Sequence, residues 1–264
     1  GSMLCVGLDP DLRRMPDSVR AGAATAALES TDSLFAFCRA IVDATHDYVC
    51  AFKPQFAHFA AVGAEQALEH LIAYVHERYP DIPVILDAKR GDVGSTAERY
   101  AHEAFVRYGA DAVTVNPYLG WDSVEPFTRF EDRGVVLLCR TSNPDGAWIQ
   151  EHPPEDPVYL RVAQMAARHD RGNLMLVLGA TFPELMAAVR DIVPSMPFLV
   201  PGVGAQGGDL QAVLEHGCSP DGYGLVINAS RSIIYAGSDD SFAAAAAAVA
   251  RDLSHAMRAG ASNA

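Results

Sequence analysis

Short apolar runs alternate with longer amphipathic segments along the whole chain. The apolar runs are bounded by turn-forming residues, and they predict β-strands at 4–8, 48–53, 83–89, 111–116, 134–140, 173–179, 197–202 and 222–228. The segments between them have apolar positions at helical spacing or are rich in alanine, and they predict helices at 32–46, 63–79, 94–108, 121–130, 156–169, 181–191, 207–216 and 240–258. Because the strands are apolar throughout, they predict a sheet that is buried on both faces.

The order of these elements indicates the fold class. Eight strand–helix units within 264 residues predict an α/β fold, a single (β/α)8 TIM barrel that spans residues 1–264 as one domain. A doubly wound open sheet is the main alternative, but it usually has fewer strands and a glycine-rich first loop. The first loop of this chain instead reads GLDPDLRRMP (7–16), and the longest irregular loop is predicted at 141–157.

Charge and cysteine content exclude several classes of partner. The formal net charge of −13 argues against binding to nucleic acid or to an anionic membrane surface, so any bound anion must depend on a few local basic groups. The sequence has no uninterrupted apolar stretch of membrane-spanning length. The five cysteines are scattered and form no C-x-x-C pair, which indicates a reducing, cytoplasmic setting.

The chain has 18 arginines but only two lysines, Lys53 and Lys89, and both lie at the carboxyl ends of predicted strands. A barrel carries its active site at those ends. The strand ending in DAKR is expected to alternate its side chains, so Asp87 and Lys89 point to the same side, and Asp92 follows three residues later. Adjacent carboxylates favour the ammonium form of Lys89, which suits proton delivery to a carbanion and disfavours a Schiff-base nucleophile. A salt-bridged strand end without catalytic function is the alternative.

The turn after the seventh strand contains G-x-G-x-x-G at Gly202, Gly204 and Gly207. A dinucleotide-binding fingerprint belongs in the first unit and needs an acidic residue at the end of the next strand, whereas the eighth strand ends in Asn228. In a barrel, the loops after strands seven and eight commonly bind phosphate, and Arg231 would add a cation to such a site. A turn without a ligand is the alternative.

Two further features carry weaker information. Thr141 and Ser142 place hydroxyl groups directly after the fifth strand, but polar residues are common in loops. None of the nine histidines has a partner at a spacing typical of metal ligation. The sequence therefore predicts no metal ligand.

The segment LDAKRGDVGST (86–96) resembles the D-x-K-x-x-D-x-x-x-T signature of orotidine 5'-phosphate decarboxylases. The segments VGLDP, FKPQ, CRTSNP, PGVGAQGGD and RSI follow in the order and at the barrel positions that this family has. The resemblance covers essentially the whole chain and is closest to the longer bacterial branch of the family. The first signature is shared by a suprafamily, whereas its combination with RTSNP and GAQGGD is more specific to the decarboxylases.

The resemblance implies a cofactor-free reaction of pyrimidine biosynthesis, in which orotidine 5'-phosphate yields uridine 5'-phosphate and carbon dioxide. It implies that Lys89 protonates the carbanion, that Asp87 lies against the departing carboxylate and that Lys53 completes the charged network. The substrate contacts that it implies are Asp9 at the ribose, Ser142 at the pyrimidine edge, and Gly204, Gln206, Ser230 and Arg231 at the phosphate.

The resemblance also implies a homodimer with shared active sites, because Asp92 and Thr96 match residues that reach the neighbouring subunit's site. One departure is Ser230, which stands where many relatives have glycine. The backbone amide is the group that binds there, so this change leaves the assignment in place.

Two alternative functions remain open. Sugar-phosphate decarboxylases and aldol-type synthases of the same suprafamily share D-x-K-x-x-D but use Mg²⁺ and an enediolate, so sensitivity to a chelator would separate them from a cofactor-free enzyme. A non-catalytic, phosphate-sensing barrel would keep the glycine-rich turn and Arg231 but would have no need for Lys89.

Overall fold

The strands form one parallel, eight-stranded barrel, as the sequence predicts. The structure is a computed structural model that describes residues 2–20, 26–203 and 208–261. Its strands are β1 Leu4–Leu8, β2 Ala51–Pro54, β3 Ile85–Arg90, β4 Ala112–Val115, β5 Gly134–Arg140, β6 Leu174–Leu178, β7 Phe198–Pro201 and β8 Leu225–Ala229. The ladder runs from β3 through β4, β5, β6, β7, β8 and β1 to β2. Parallel bridges Phe52–Val84 and Gln55–Asp87 join β2 to β3 and close the barrel.

Helices follow the strands around the outside of the barrel. Within the described residues they are α1 Asp17–Arg20, α2 Ala26–Thr45, α3 Phe56–Ala60, α4 Glu65–Arg78, α5 Gly94–His102, α6 Glu125–Thr128, α7 Ala147–Gln150, α8 Val158–His169, α9 Pro183–Ile192, α10 Leu210–Gly217, α11 Arg231–Ile234 and α12 Phe242–Ala261. No helix in these ranges is both long enough and apolar enough to cross a bilayer.

One helix prediction and one loop prediction were wrong in extent. The helix predicted at 121–130 is a 3-10 turn, Trp121–Ser123, followed by the single turn of α6. Pro126 explains the break, because a residue without an N–H group is tolerated only in the first turn of a helix. The loop predicted at 141–157 is partly helical, since it contains the 3-10 turn Pro144–Gly146 and α7.

The barrel interior is apolar at the bottom and polar near the top. The bottom is a buried cluster, called the apolar floor below, formed by Cys5, Ala51, Ile85, Ala112, Val136, Val177 and Leu199. Side chains alternate along a strand, so the residue two positions further along points inward again. On three strands that residue is polar, namely Lys53, Asp87 and Thr114, and Asn228 lies two positions after Val226, which packs against the floor. The polar side chains therefore lie one level above the floor, toward the carboxyl ends of the strands.

Candidate active site

A cavity of about 490 Å³ lies above the apolar floor at the carboxyl ends of the strands. Its apolar wall includes Leu138 and Val203, and the floor residues Val177 and Leu199 also line the cavity. The structure places seven of the sequence-predicted site residues around it, namely Asp9, Lys53, Asp87, Lys89, Ser142, Ser230 and Arg231. With Thr114 of β4, residues from all eight strands or the loops after them contribute to one site that is charged at one side and apolar at another.

Asp87 lies between the two lysines of the chain. Lys53 Nζ donates to Asp87 Oδ2 at 2.7 Å, and Lys89 Nζ donates to Asp87 Oδ1 at 2.5 Å. The side chains of Lys53 and Asp87 are only 5% and 8% exposed, whereas that of Lys89 is 48% exposed. Lys53 is therefore a buried counter-charge, and Lys89 is the lysine that a substrate can approach.

Burial and charge act in opposite directions on this network. Burial by itself raises the pKa of Asp87, but the ammonium groups of Lys53 and Lys89 outweigh it and hold the pKa well below its usual range. Burial lowers the pKa of Lys53, but the carboxylates of Asp87 and Asp9 outweigh it and raise the pKa. Asp87 is therefore a carboxylate and Lys53 an ammonium at neutral pH.

The backbone of β3 is irregular at Lys89, so the expectation of a regularly alternating strand was wrong. Leu86 pairs with Val113 and Arg90 pairs with Val115, which leaves the residues between them out of register. Lys89 has φ of +46°, the left-handed region that non-glycine residues rarely adopt. Its side chain still reaches Asp87, but through a bulge and not through alternation.

Two polar residues in the network had not been identified from the sequence. Gln55 Nε2 donates to Asp87 Oδ2 at 3.1 Å, and the hydroxyl of Thr114 donates to Asp87 Oδ1 at 3.0 Å. Both occupy inward positions at the carboxyl end of a buried strand, Gln55 two residues after Lys53. A polar residue at such a position is the signal that could have identified them.

Asp92 and Thr96 do not line the cavity of their own chain. Asp92 is half-buried and accepts a hydrogen bond from the amide of Val93 at 2.8 Å, while Thr96 is exposed in the first turn of α5. Arg90 lies just before this loop and is held by Glu103 at 2.9 Å and by the ring of Phe56, 4.2 Å from its guanidinium carbon. The loop therefore leaves the barrel from a fixed point and carries Asp92 to the rim.

Ser142 reaches the cavity from residues 141–150, called the Ser142 loop below. Two residues flank the loop and are paired: the side chain of Arg140 is 1% exposed and donates through Nε to Glu151 at 2.8 Å. Gln150 accepts a hydrogen bond from the Thr141 amide at 2.9 Å and so links the two ends of the loop. Gly179 packs against Ser142 so closely that a Cβ at this position would lie 2.5 Å from the Cα of Ser142. The loop is thus fixed at both ends and from below.

Asp9 and Asn228 bring unpaired acceptors to the cavity. Oδ1 of each residue is buried and has no hydrogen-bond partner among the described residues. A buried acceptor without a partner is costly unless a ligand or water pairs with it. The hydroxyl of Tyr235 holds the backbone of this region by donating to the carbonyl of Asp9 at 3.1 Å and accepting from the Asp11 amide at 2.6 Å.

The phosphate-binding prediction is covered only in part. Gly204 and Gln206 lie outside the described residues. Gly202 has φ of +100°, a conformation that favours glycine, and a Cβ at Gly208 would lie 2.8 Å from the carbonyl oxygen of Gly202, so both positions require glycine. Arg231 is exposed at the edge of the cavity and forms no ion pair within the described part of the chain. Its charge is available to a ligand.

Comparison with known proteins decides the family. The model of the orotidine 5'-phosphate decarboxylase / HUMPS family matches residues 2–247. The chain belongs to this family. It is 55% identical over 255 residues to the orotidine 5'-phosphate decarboxylase of Cellvibrio japonicus, covering 96% of this chain and 91% of the relative. It is 56% identical over 252 residues to the orotidine 5'-phosphate decarboxylase of Ralstonia pickettii, covering 94% and 90%.

Solved structures of orotidine 5'-phosphate decarboxylases have the same fold. The structure of the Leishmania donovani decarboxylase superimposes with a TM-score of 0.83 at 38% identity, covering 98% of this chain and 94% of that one. A putative decarboxylase from Toxoplasma gondii gives 0.85 at 36% identity, covering 100% and 94%. The family resemblance predicted from the sequence motifs is therefore confirmed over nearly the whole chain.

Proposed function

We propose that this chain converts orotidine 5'-phosphate to uridine 5'-phosphate and carbon dioxide, without a cofactor, as a step of pyrimidine biosynthesis. The observation that carries the proposal is the Lys53–Asp87–Lys89 network, which faces a cavity with Arg231 exposed at its edge. The relatives that are more than half identical to this chain over nearly all of its length are named for this activity.

The network suits a reaction that forms and then quenches a carbanion. The substrate carboxylate would lie against Asp87, where two like charges are unfavourable in the ground state and the repulsion is relieved as carbon dioxide leaves. The electron pair of the broken carbon–carbon bond stays on the pyrimidine carbon. Lys89 then donates the proton from Nζ to that carbon, and the resulting neutral amine is reprotonated from solvent.

Groups remote from the reacting carbon would supply the binding energy. Arg231 would pair with the 5'-phosphate through charge-assisted hydrogen bonds, with Gly204, Gln206 and the backbone of Ser230 as its proposed companions. The unpaired oxygen of Asp9 would accept a hydrogen bond from a ribose hydroxyl. Binding energy at the phosphate and ribose holds the reacting carbon in place for the charged network.

Ser142 would contact the edge of the pyrimidine. Its loop is fixed at both ends, so the hydroxyl and amide are presented at a defined point opposite the apolar wall. A pyrimidine ring bound between that wall and Ser142 would have one polar edge hydrogen-bonded to Ser142 and its faces packed against apolar side chains. A phosphate-sensing barrel would need the cation of Arg231 but neither this loop nor the lysine network.

We also propose that the active protein is a homodimer with shared sites. Asp92 and Thr96 lie at the rim, outside the cavity of their own chain, where they would complete the site of the partner subunit. Large apolar side chains are exposed on the same face of the barrel, namely Val93, Tyr118 and Leu119. A second copy of the chain would cover them. The five free cysteines support a reducing, cytoplasmic setting for this assembly.

The Mg²⁺-dependent alternative is disfavoured by the donor set at Asp87. Both carboxylate oxygens of Asp87 already accept hydrogen bonds from ammonium groups. A divalent cation at the same carboxylate would be repelled by two positive charges within hydrogen-bond distance of its ligand.

The test is the loss of orotidine absorbance on incubation with the purified protein, with and without EDTA. We expect turnover that EDTA leaves unchanged. We also expect Lys89→Ala to lower kcat by far more than tenfold, where each factor of ten corresponds to about 1.4 kcal/mol in the activation free energy. Lys89→Arg is the matched control, because it keeps the positive charge but has a guanidinium that does not give up its proton. Turnover abolished by EDTA would favour the Mg²⁺-dependent alternative, and a Lys89→Ala variant with more than a tenth of the wild-type kcat would remove the proton-donor role.

A further inference from the structure

Thr114 lies on β4 directly against the irregular part of β3. The residue is only 1% exposed. Its hydroxyl oxygen accepts a hydrogen bond from the backbone amide of Lys89 at 2.9 Å, and its hydroxyl proton goes to Asp87 Oδ1 at 3.0 Å. The same carboxylate oxygen accepts from Lys89 Nζ at 2.5 Å. Three residues thus close a ring of hydrogen bonds that includes both the main chain and the side chain of Lys89.

The Lys89 amide needs this acceptor because the sheet does not provide one in register. The ladder between β3 and β4 is regular as far as Leu86 and resumes only at Arg90. A half-buried amide without an acceptor is costly, and the left-handed backbone of Lys89 adds a further cost. Such a conformation persists only when its surroundings hold it in place. The Thr114 hydroxyl replaces the missing sheet acceptor at this residue.

A hydroxyl has one proton, so its two bonds are directional. Because Thr114 donates to Asp87, its lone pairs are left to face the Lys89 amide. The orientation of the carboxylate and the backbone position of the lysine are therefore coupled through one side chain. Valine has the same branched shape but neither bond, whereas serine retains both.

We propose that Thr114 is a positioning residue that holds Lys89 in its left-handed conformation and aims the Lys89 ammonium group across Asp87 into the cavity. The inference rests on the proposed function only in that Lys89 is taken as the proton donor. Thr114 borders the cavity but is only 1% exposed, and its hydroxyl is already bonded to Asp87 and Lys89, so it acts on the reaction through these two residues.

The kinetic test compares Thr114→Val, Thr114→Ser and Thr45→Val. Thr45 is the matched control, because it is fully buried on α2 and its hydroxyl donates one hydrogen bond, to the Ile41 carbonyl at 2.8 Å. We expect Thr114→Val to lower kcat at least about tenfold, as the loss of a hydrogen bond to a charged group would, with KM changed less than about threefold. Thr114→Ser should recover most of kcat, and Thr45→Val should lower the melting temperature without lowering kcat.

Two kinetic results would overturn the proposal. One is a Thr114→Val enzyme with kcat within twofold of wild type. The other is a Thr114→Ser enzyme as impaired as Thr114→Val, because the hydroxyl would then not be the group that matters.

Crystal structures of the two Thr114 variants give a readout that does not depend on activity. Thr114→Ser should keep a positive φ at Lys89 and the contact from Nζ to Asp87, and Thr114→Val should lose at least one of them. If the wild type fails to decarboxylate orotidine 5'-phosphate, the proposed function is wrong while this structural comparison still decides the role of Thr114. An unchanged Lys89 in the Thr114→Val structure would contradict the inference whatever the substrate.

Discussion

Asp87 is the residue around which the site is organised, and its charge is maintained by its neighbours. The pKa of Asp87 is lowered in the folded state, so its pairing stabilises the fold above the unfolded pKa of about 4, and this contribution is lost as the pH falls through the folded value. The pKa of Lys53 is raised, so its contribution is present below the unfolded pKa of about 10 and is lost as the pH rises through the folded value. The charge pattern of the pair is constant across the neutral range.

Arg231 allows a prediction at the scale of a single side chain. Its guanidinium is at the edge of the cavity and has no ion pair within the described residues, so a bound phosphate would interact with a positive charge that no carboxylate there neutralises. Arg231→Ala should weaken binding of uridine 5'-phosphate by about 1.5–3 kcal/mol and leave uridine binding nearly unchanged, as measured by titration calorimetry. Arg13→Ala is the control, since Arg13 is exposed and already paired with Asp11. Equal losses for the nucleotide and the nucleoside would place Arg231 outside the phosphate site.

The sequence predicts the charged members of the site better than the neutral ones. Lys53, Asp87 and Lys89 are recognisable because charges at the ends of buried strands are rare and costly. Gln55 and Thr114 were missed because a neutral polar residue can be assigned to the site only once its hydrogen bond to Asp87 is known. These hydrogen bonds depend on the register of β2, β3 and β4, and the bulge at Lys89 shifts the register between β3 and β4. The sequence therefore identifies the charges, and only the structure shows their partners.

At the scale of elements, a buried arginine fixes the Ser142 loop by pairing with a residue at the far end of the loop. Arg140 ends β5 with its side chain only 1% exposed and its guanidinium carbon 3.9 Å from the ring centre of Phe182. It pairs with Glu151 at the far end of the loop. Hydrophobic periodicity predicts β5 and α8 on either side, but it has no signal for a contact between Arg140 and Glu151. This is why residues 141–157 were expected to be irregular throughout.

Glu151→Gln tests whether this pair positions Ser142. The change keeps the shape of the side chain but leaves the buried guanidinium of Arg140 without a charged partner, so we expect the free energy of unfolding to fall by about 1.5–3 kcal/mol. We also expect weaker binding of uridine 5'-phosphate and unchanged binding of ribose 5-phosphate, since only the pyrimidine would meet Ser142. Asp252→Asn, which breaks the exposed pair with Arg251, should change neither quantity. If binding of both ligands weakened equally, the loop would not act on the pyrimidine.

At the scale of the whole molecule, the apolar packing that stabilises the barrel lies below the residues that line the cavity. The apolar floor and the layer between strands and helices are buried, while the polar layer and the loops above it form the cavity. The same upper face carries Asp92, Thr96 and the exposed apolar side chains of Val93, Tyr118 and Leu119. A contact between two copies at this face would bring the rim of one barrel to the cavity of the other.

Mixing two inactive variants distinguishes a shared site from a self-contained one. Asp92→Asn and Lys89→Ala should each be nearly inactive as homodimers. If Asp92 acts in the partner subunit's site, each mixed dimer has one intact site of two. Random exchange of equal amounts makes about half of the dimers mixed, so activity should recover to roughly a quarter of the wild-type value. No recovery, with exchange verified by native mass spectrometry, would show that Asp92 acts within its own chain.

The apolar floor has a consequence for how ligands enter and leave the cavity. Its side chains are buried and pack against one another, so the cavity is a blind-ended well with its mouth at the carboxyl ends of the strands. Whatever enters through that mouth must also leave through it. A reaction that splits one molecule into two then has to clear both products past Arg231 and Ser142 before the next molecule can enter. The residues that grip the substrate thereby also set how long the well stays occupied after the bond has broken.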